Sequence, residues 1–167
     1  MTTAASRVSG VLLIVLGAWG ALVPFLGPSI GFAYTPNKAW QWSTDHLYLS
    51  VVPGAAALLG GLLIVMAPRA MSVLGGLLAA LGGAWFVAGG PVLAVAGIGK
   101  GPGTPVVASG AMFSSATMKL LENMGFFTGT GVVIVFFAAL AMGRAGLANA
   151  ASGELASEST GAFQPSY

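Results

Sequence analysis

Four long apolar segments alternate with polar connections along this chain. They lie at about residues 10–26, 47–67, 71–95 and 124–142. Each comes close to the length of about 20 residues, range about 17 to 25, that an α-helix needs to cross the hydrocarbon core of a bilayer. The pattern predicts an all-α polytopic membrane protein, a four-helix transmembrane bundle within a domain of residues 1–145.

The residues after the fourth segment have a different composition. From 146 to 167 the chain is rich in Ala, Ser and Gly and holds two of its four acidic residues. Because so little apolar surface cannot offset the entropy cost of ordering it, we predict a disordered cytoplasmic tail at 146–167. A short partner-binding peptide is the alternative.

Composition excludes a soluble domain. The 167 residues are 56% hydrophobic and 6% charged, against roughly 25% charged in soluble domains. Six Lys and Arg residues give no basic face for nucleic acid, so membrane lipids are the expected surroundings and no nucleic-acid partner is expected. There is no cysteine for a disulfide, a thiolate nucleophile or a Cys-ligated metal.

The charged residues indicate an orientation. The three arginines, Arg7, Arg69 and Arg144, lie at helix ends on the side of both termini, and the three lysines, Lys38, Lys100 and Lys119, lie in the opposite connections. The count ties, but the arginines adjoin the spans most closely. We therefore predict cytoplasmic N- and C-termini. Alternatively, the first segment is a cleaved signal peptide with its cleavage site near Ala33.

The two halves of the chain resemble each other. GVLLIVLGAW, ending at Trp19, matches GLLAALGGAW, ending at Trp85, at an offset of 66 residues; at an offset of 75, Arg69 aligns with Arg144. This similarity predicts two parallel helical-hairpin repeats related by an axis along the membrane normal. Because Gly and Ala are so common here, chance identity is the alternative.

Small residues suggest where the helices pack. Gly75, Ala79 and Gly83 recur every four residues in the third segment, and Gly125 and Gly129 open the fourth. In lipid, close backbone approach over small residues drives much of helix association, so we predict helix packing at these five positions. The same stripe could face a second copy, which leaves a homo-oligomer open. We also expect a tilt or bend near Gly125.

The first connection concentrates aromatic residues around the single histidine. Its candidate contact residues are Trp40, Trp42, Asp45 and His46. Trp and Tyr gather at the membrane–water boundary, so an aromatic belt is one interpretation. The other is a docking surface for a partner or a lipid headgroup. Ser43 or Thr44 can cap the second helix in either case.

The residues offer little catalytic or metal chemistry. One histidine supplies neither the two axial ligands of a membrane b-type haem nor the three or four protein ligands usual for zinc, and the adjacent Asp45 and His46 point in different directions on a helix. We therefore expect no catalytic residue, cofactor or metal. The span interiors hold no ionisable residue; Glu122 lies at the mouth of the fourth, three residues after Lys119. This disfavours ion-coupled transport.

Several motifs resemble those of small four-span membrane proteins from high-GC actinobacteria. They are the GAW triplet of the first helix, Trp40-Gln41-Trp42 with His46 before the second, and LENMGFF, residues 121–127, before the fourth. The absence of Cys separates the chain from claudins and tetraspanins, whose loop disulfide it lacks. The resemblance implies a bacterial plasma membrane and transfers no activity.

Taken together, these features predict a non-enzymatic integral membrane protein. We expect an accessory or structural subunit of a larger cell-envelope or respiratory membrane complex, with a membrane-protein partner. A small transporter or lipid-handling protein acting as an oligomer is the alternative.

Overall fold

The chain forms a bundle of four long helices with irregular segments at one end. The computed structural model describes residues 4–30, 32–34, 38–66, 68–98, 105–107 and 115–161. Its elements are α1 (Ala4–Leu26), a 3₁₀ turn (Gly27–Ile30), β1 (Phe32–Tyr34), α2 (Thr44–His46), a π-helical turn (Leu47–Val51), α3 (Val52–Met66), α4 (Arg69–Ala96), β2 (Pro105–Val107), α5 (Ser115–Phe126) and α6 (Thr128–Gly161).

Four helical segments are long and apolar enough to cross a membrane, as expected for an integral membrane protein. They are Ala4–Ile30, Thr44–Met66, Met71–Ala96 and Ala116–Gly153. This confirms the predicted all-α four-helix bundle. Apart from these helices, the described residues include one short antiparallel pairing of β1 with β2, in which Phe32 lies opposite Val107.

The four long helices close a ring. α1 packs on α3, α3 on α4, α4 on α6, and α6 returns to α1. Successive helices run antiparallel, so α1 begins and α3 ends at one end of the bundle, here called the terminal end. The opposite end, where α1 ends and α6 begins, is called the loop end. The buried apolar core runs between them and contains Leu13, Ala57, Ile64, Ala79, Phe86, Ile134, Ala138 and Ala141.

Glycines set the distance between neighbouring helices. A Cβ added at Gly17 of α1 would lie 2.5 Å from the Leu58 backbone nitrogen and 2.6 Å from the Gly54 carbonyl oxygen of α3. A Cβ at Gly83 of α4 would lie 2.8 Å from the Gly131 carbonyl oxygen of α6. Such close approach replaces the hydrophobic driving force that helices lack in lipid. None of the described glycines makes such a contact between α1 and α6.

Both hairpins have an irregular entrance to their second helix. α3 is preceded by the π-helical turn Leu47–Val51, in which the Val52 N–H donates to the Leu47 carbonyl. In the second hairpin, α5 and α6 are separated at Phe127. This break lies two residues after Gly125, where the sequence predicts a bend.

The C-terminal helix extends beyond the predicted span. Helical backbone continues from Thr128 to Gly161, through most of the segment predicted to be a disordered tail. The sequence after Gly146 contains several alanines, and alanine is the best helix former, so intrinsic propensity favours helical backbone there. Residues 162–167 lie outside the described residues.

Candidate functional site

Three side chains at the loop end gather around the buried ring of Phe25, in the last turn of α1. Trp40 stacks on it with centroids 6.1 Å apart and planes 25° apart, Trp42 tilts against it at 5.0 Å, and His46 meets it edge-on at 5.7 Å. Trp40 and Trp42 are nevertheless 65% and 67% exposed, whereas His46 is buried. We call Trp40 and Trp42, supported by Phe25 and His46, the aromatic platform.

Hydrogen bonds within the connection hold His46 in place. Ser43 is the N-cap of α2, and its hydroxyl accepts from the His46 backbone N–H at 3.1 Å. The His46 ring places Nδ1 2.9 Å from the Gln41 carbonyl oxygen. Since a carbonyl oxygen can only accept, Nδ1 carries the proton in this contact. The histidine therefore closes the loop on itself and packs under the platform.

The backbone at Trp40 is held in an uncommon conformation. Its φ angle is +59°, in the left-handed region, and its N–H donates to the Phe25 carbonyl oxygen at 3.4 Å. A non-glycine residue there costs on the order of 1 kcal/mol or more and persists only where its surroundings impose it. Holding the exposed indole of Trp40 over Phe25 therefore lowers the stability of the fold.

The four predicted contact residues lie on one short stretch at the loop end. Trp40 and Trp42 are exposed, Asp45 is half-buried in the first turn of α2, and His46 is buried. The described residues contain no group of three or more His, Cys, Asp or Glu side chains able to hold a metal ion. The arrangement offers two large aromatic faces for contact.

Two further tryptophans bind backbone carbonyls across the hairpins. Trp19 of α1 donates through Nε1 to the Gly125 carbonyl oxygen at 3.0 Å, and Trp85 of α4 donates to the Tyr48 carbonyl oxygen at 2.8 Å. Each tryptophan belongs to the first helix of one hairpin, and each acceptor lies at the irregular entrance of the other hairpin's second helix. The two bonds are thus exchanged between the halves of the chain.

A carboxylic acid lies inside the loop end. Glu122 of α5 is completely buried, at 0% exposure. Burial of an ionisable group is costly in a membrane protein and commonly marks a functional position. The sequence predicts only that Glu122 lies at the mouth of the fourth span. Its burial could not be predicted, because the packing of α5 against the bundle is not marked by a local sequence pattern.

The predicted packing residues of α4 lie at two different helix contacts. A Cβ added at Gly75 would lie 2.6 Å from the Gly60 carbonyl oxygen of α3. Ala79 is fully buried, and its Cβ lies near the position that a Cβ on Gly60 would take. Gly83 instead faces α6. The stripe therefore divides between two neighbours within the bundle.

Gly125 and Gly129 have other surroundings. A Cβ at Gly125 would lie 2.8 Å from Cζ of Phe32, and one at Gly129 would lie 2.6 Å from the Met124 carbonyl oxygen of the preceding helix. Gly129 thus lies against the end of α5, whereas Gly125 lies against the first connection. On α6 the glycine that faces another long helix is Gly131, whose added Cβ would lie 2.5 Å from the Gly83 carbonyl oxygen.

Comparisons with models of protein families, with curated proteins and with solved structures find no match for this chain. The interpretation of the site therefore rests on its geometry.

Proposed function

We propose that this chain is a non-enzymatic accessory or structural subunit of a larger membrane complex of the bacterial cell envelope or respiratory chain, and that the aromatic platform is its docking surface. The observation that carries the proposal is the pair Trp40 and Trp42, each about two-thirds exposed yet fixed against a buried Phe25. Rigid, amphipathic tryptophans contribute strongly at the centres of protein interfaces.

Pre-organisation supports docking over simple anchoring. A tryptophan that anchors in the membrane interface needs an apolar ring and a hydrated N–H, and it can adopt many orientations. At Trp40 the fold instead imposes a left-handed backbone and a stacked ring. Fixing a side chain before binding reduces the entropy cost of association, which favours a partner surface of defined shape.

The proposed orientation places the platform outside the cell. Arg7 lies near the start of α1, Arg69 begins α4, and Arg144 lies on α6 close to α1, so all three arginines are at the terminal end. Positive charge close to the spans favours the cytoplasmic side. The loop end, with the platform, would then face outward from the plasma membrane.

Co-purification from native membranes in mild detergent tests the docking surface. We expect the double variant Trp40→Ala/Trp42→Ala to insert and fold but to recover less of its partner proteins than wild type. The matched control is Phe136→Ala, which removes another exposed aromatic from α6 far from the platform and should leave recovery unchanged. Equal recovery of the same partners with both variants would show that the platform is a membrane anchor and not a docking surface.

Glu122 favours a second candidate function, a small transporter or lipid-handling protein acting as an oligomer. A fully buried acid at the mouth of a membrane span fits a transport pathway. Reconstitution of the purified chain into liposomes separates the two proposals. Specific movement of a solute or lipid that is lost in Glu122→Gln would favour the transporter over the subunit. Liposomes that show no such movement would support the subunit proposal.

A further inference from the structure

Arg144 occupies a gap at the terminal end of the bundle, between α6 and α1. Its Nη1 donates to the Ala5 carbonyl oxygen at 3.3 Å and to the Ser9 hydroxyl at 3.2 Å. Ser9 is buried, and its hydroxyl donates onward to Ala5 at 3.2 Å. These contacts hold one edge of the guanidinium against α1. Both acceptors are neutral.

Among the described side chains, no carboxylate lies near the Arg144 guanidinium. Asp45 and Glu122 lie at the opposite end of the bundle. A guanidinium has five N–H donors in a planar fork. Apart from the bonds of Nη1, the described residues give Arg144 no hydrogen bond, so the edge formed by Nε and Nη2 is available.

The length of the uncharged stretch before Arg144 indicates that this residue lies near the lipid headgroups. An uncharged stretch runs from Asn123 to Gly143 and ends directly before it. About 20 helical residues span the hydrocarbon core, so the next turn enters the headgroup region. The side chain is half-buried. Nη1 thus holds the guanidinium against α1, and part of the side chain remains exposed.

A second buried hydroxyl lies at the same level. Gly76 of α4 packs against Met142 of α6, and since these helices are antiparallel, Ser72 comes about level with Gly146, within one turn of Arg144. Ser72 is 1% exposed, and among the described residues its Oγ has no hydrogen-bond partner. Among the described residues, the terminal end therefore combines a guanidinium bonded only to neutral acceptors with a buried hydroxyl that has no hydrogen-bond partner.

We propose that Arg144 binds the phosphate of an anionic phospholipid at the terminal end of the bundle, with Ser9 positioning the guanidinium. The Nε and Nη2 edge fits two phosphate oxygens in the bidentate geometry that arginine, unlike lysine, provides. The ligand is a membrane lipid because the site lies where α6 leaves the hydrocarbon. This inference is independent of the aromatic platform, which lies at the other end of the molecule.

Native mass spectrometry of the full chain in mild detergent tests the site, with dioleoyl phosphatidylglycerol, dioleoyl phosphatidylcholine and inorganic phosphate as probes. We expect wild type to bind phosphatidylglycerol most tightly. Arg144→Gln should weaken that binding about tenfold or more, because it removes a charge-assisted, bidentate contact. Arg144→Lys, which keeps the charge and loses the fork, should fall between the two.

Arg7→Gln is the matched control, since Arg7 is exposed on α1 at the same end. We expect it to change binding of phosphatidylglycerol by no more than about fivefold, the scale of a single basic residue near an anionic membrane surface, and by less than Arg144→Gln does. Melting temperatures without lipid show whether each variant folds. If Arg144→Gln does not, Arg144→Lys carries the comparison, because a lysine ammonium can still bond to α1.

Three results would overturn the proposal. One is unchanged binding of phosphatidylglycerol by folded Arg144→Gln or Arg144→Lys. Another is an equal loss in Arg7→Gln, which would indicate general attraction to the charged end. The third is full competition by inorganic phosphate at equal concentration, which would make the site one for a free anion and not for a lipid.

Discussion

Trp85 supplies the Tyr48 carbonyl oxygen with a hydrogen bond that the helix cannot provide. The hydrogen bond typical of a π-helix joins a carbonyl to the N–H five residues on, as Leu47 is joined to Val52. For Tyr48 that position is Pro53, which has no N–H. The indole of Trp85 donates in its place at 2.8 Å. A side chain of the second hairpin thus completes the backbone of the first.

Replacing this indole should be more costly than replacing its counterpart. We expect Trp85→Phe to lower the free energy of unfolding by about 1 kcal/mol, the usual net value of one hydrogen bond. Trp19→Phe should cost less, because the Thr130 hydroxyl also donates to the Gly125 carbonyl oxygen. Thermal unfolding in detergent measures both. Equal melting temperatures for Trp85→Phe and wild type would show that the carbonyl finds another donor.

Enlarging a packing glycine should separate two helices. Gly83→Leu places a side chain where even a Cβ lies 2.8 Å from the Gly131 carbonyl oxygen. We therefore expect the free energy of unfolding to fall by about 1–3 kcal/mol or more. Leu77→Ala, at a half-exposed site, should cost less. The control Gly143→Leu meets open space. Similar melting temperatures for the two leucine variants would contradict the close packing of α4 on α6.

The cap of the second span can be tested by itself. Ser43→Ala removes the acceptor of the His46 N–H and should lower stability by about 1 kcal/mol. Ser43→Asp keeps an acceptor and should remain near wild type. Circular dichroism melts in detergent report the difference. If alanine and aspartate behave alike, water satisfies this helix end.

The proposed orientation predicts a labelling pattern. The chain has no cysteine, so single cysteines at positions 38, 69 and 100 can be introduced one at a time. In intact cells, an impermeant thiol reagent should label positions 38 and 100 and leave 69 unlabelled until the membrane is opened. The opposite labelling pattern would show that the protein has the reverse orientation in the membrane.

The long helices could be predicted from the sequence because each depends on a local property, apolar length. The terminal bounds were less predictable. α1 begins at Ala4 and α6 continues to Gly161, since helical backbone can persist outside the apolar stretch where propensity allows. The Ser43 cap was also a local signal, one polar side chain directly before a helix.

Long-range contacts left no such signal. Nothing around Phe25 marks it as the support of Trp40 and Trp42, because it lies about 15 residues from them in an apolar run. Glu122 resembles an ordinary helix-entry acid until α5 packs against the bundle. Gly125 has the small-residue spacing of a helix contact, yet the ring of Phe32, brought in by the first connection, occupies its open face.

The exchanged tryptophan bonds also set an order for biogenesis. When the first hairpin has entered the membrane without the second, the Tyr48 carbonyl has not yet received the hydrogen bond of Trp85. That donor is inserted with the third long helix, α4. The bond from Trp19 must wait longer, until the chain has been synthesised through Gly125. Nascent chains stopped between the two points should therefore hold one interhairpin bond and lack the other, so that maturation of the bundle proceeds in two distinguishable steps.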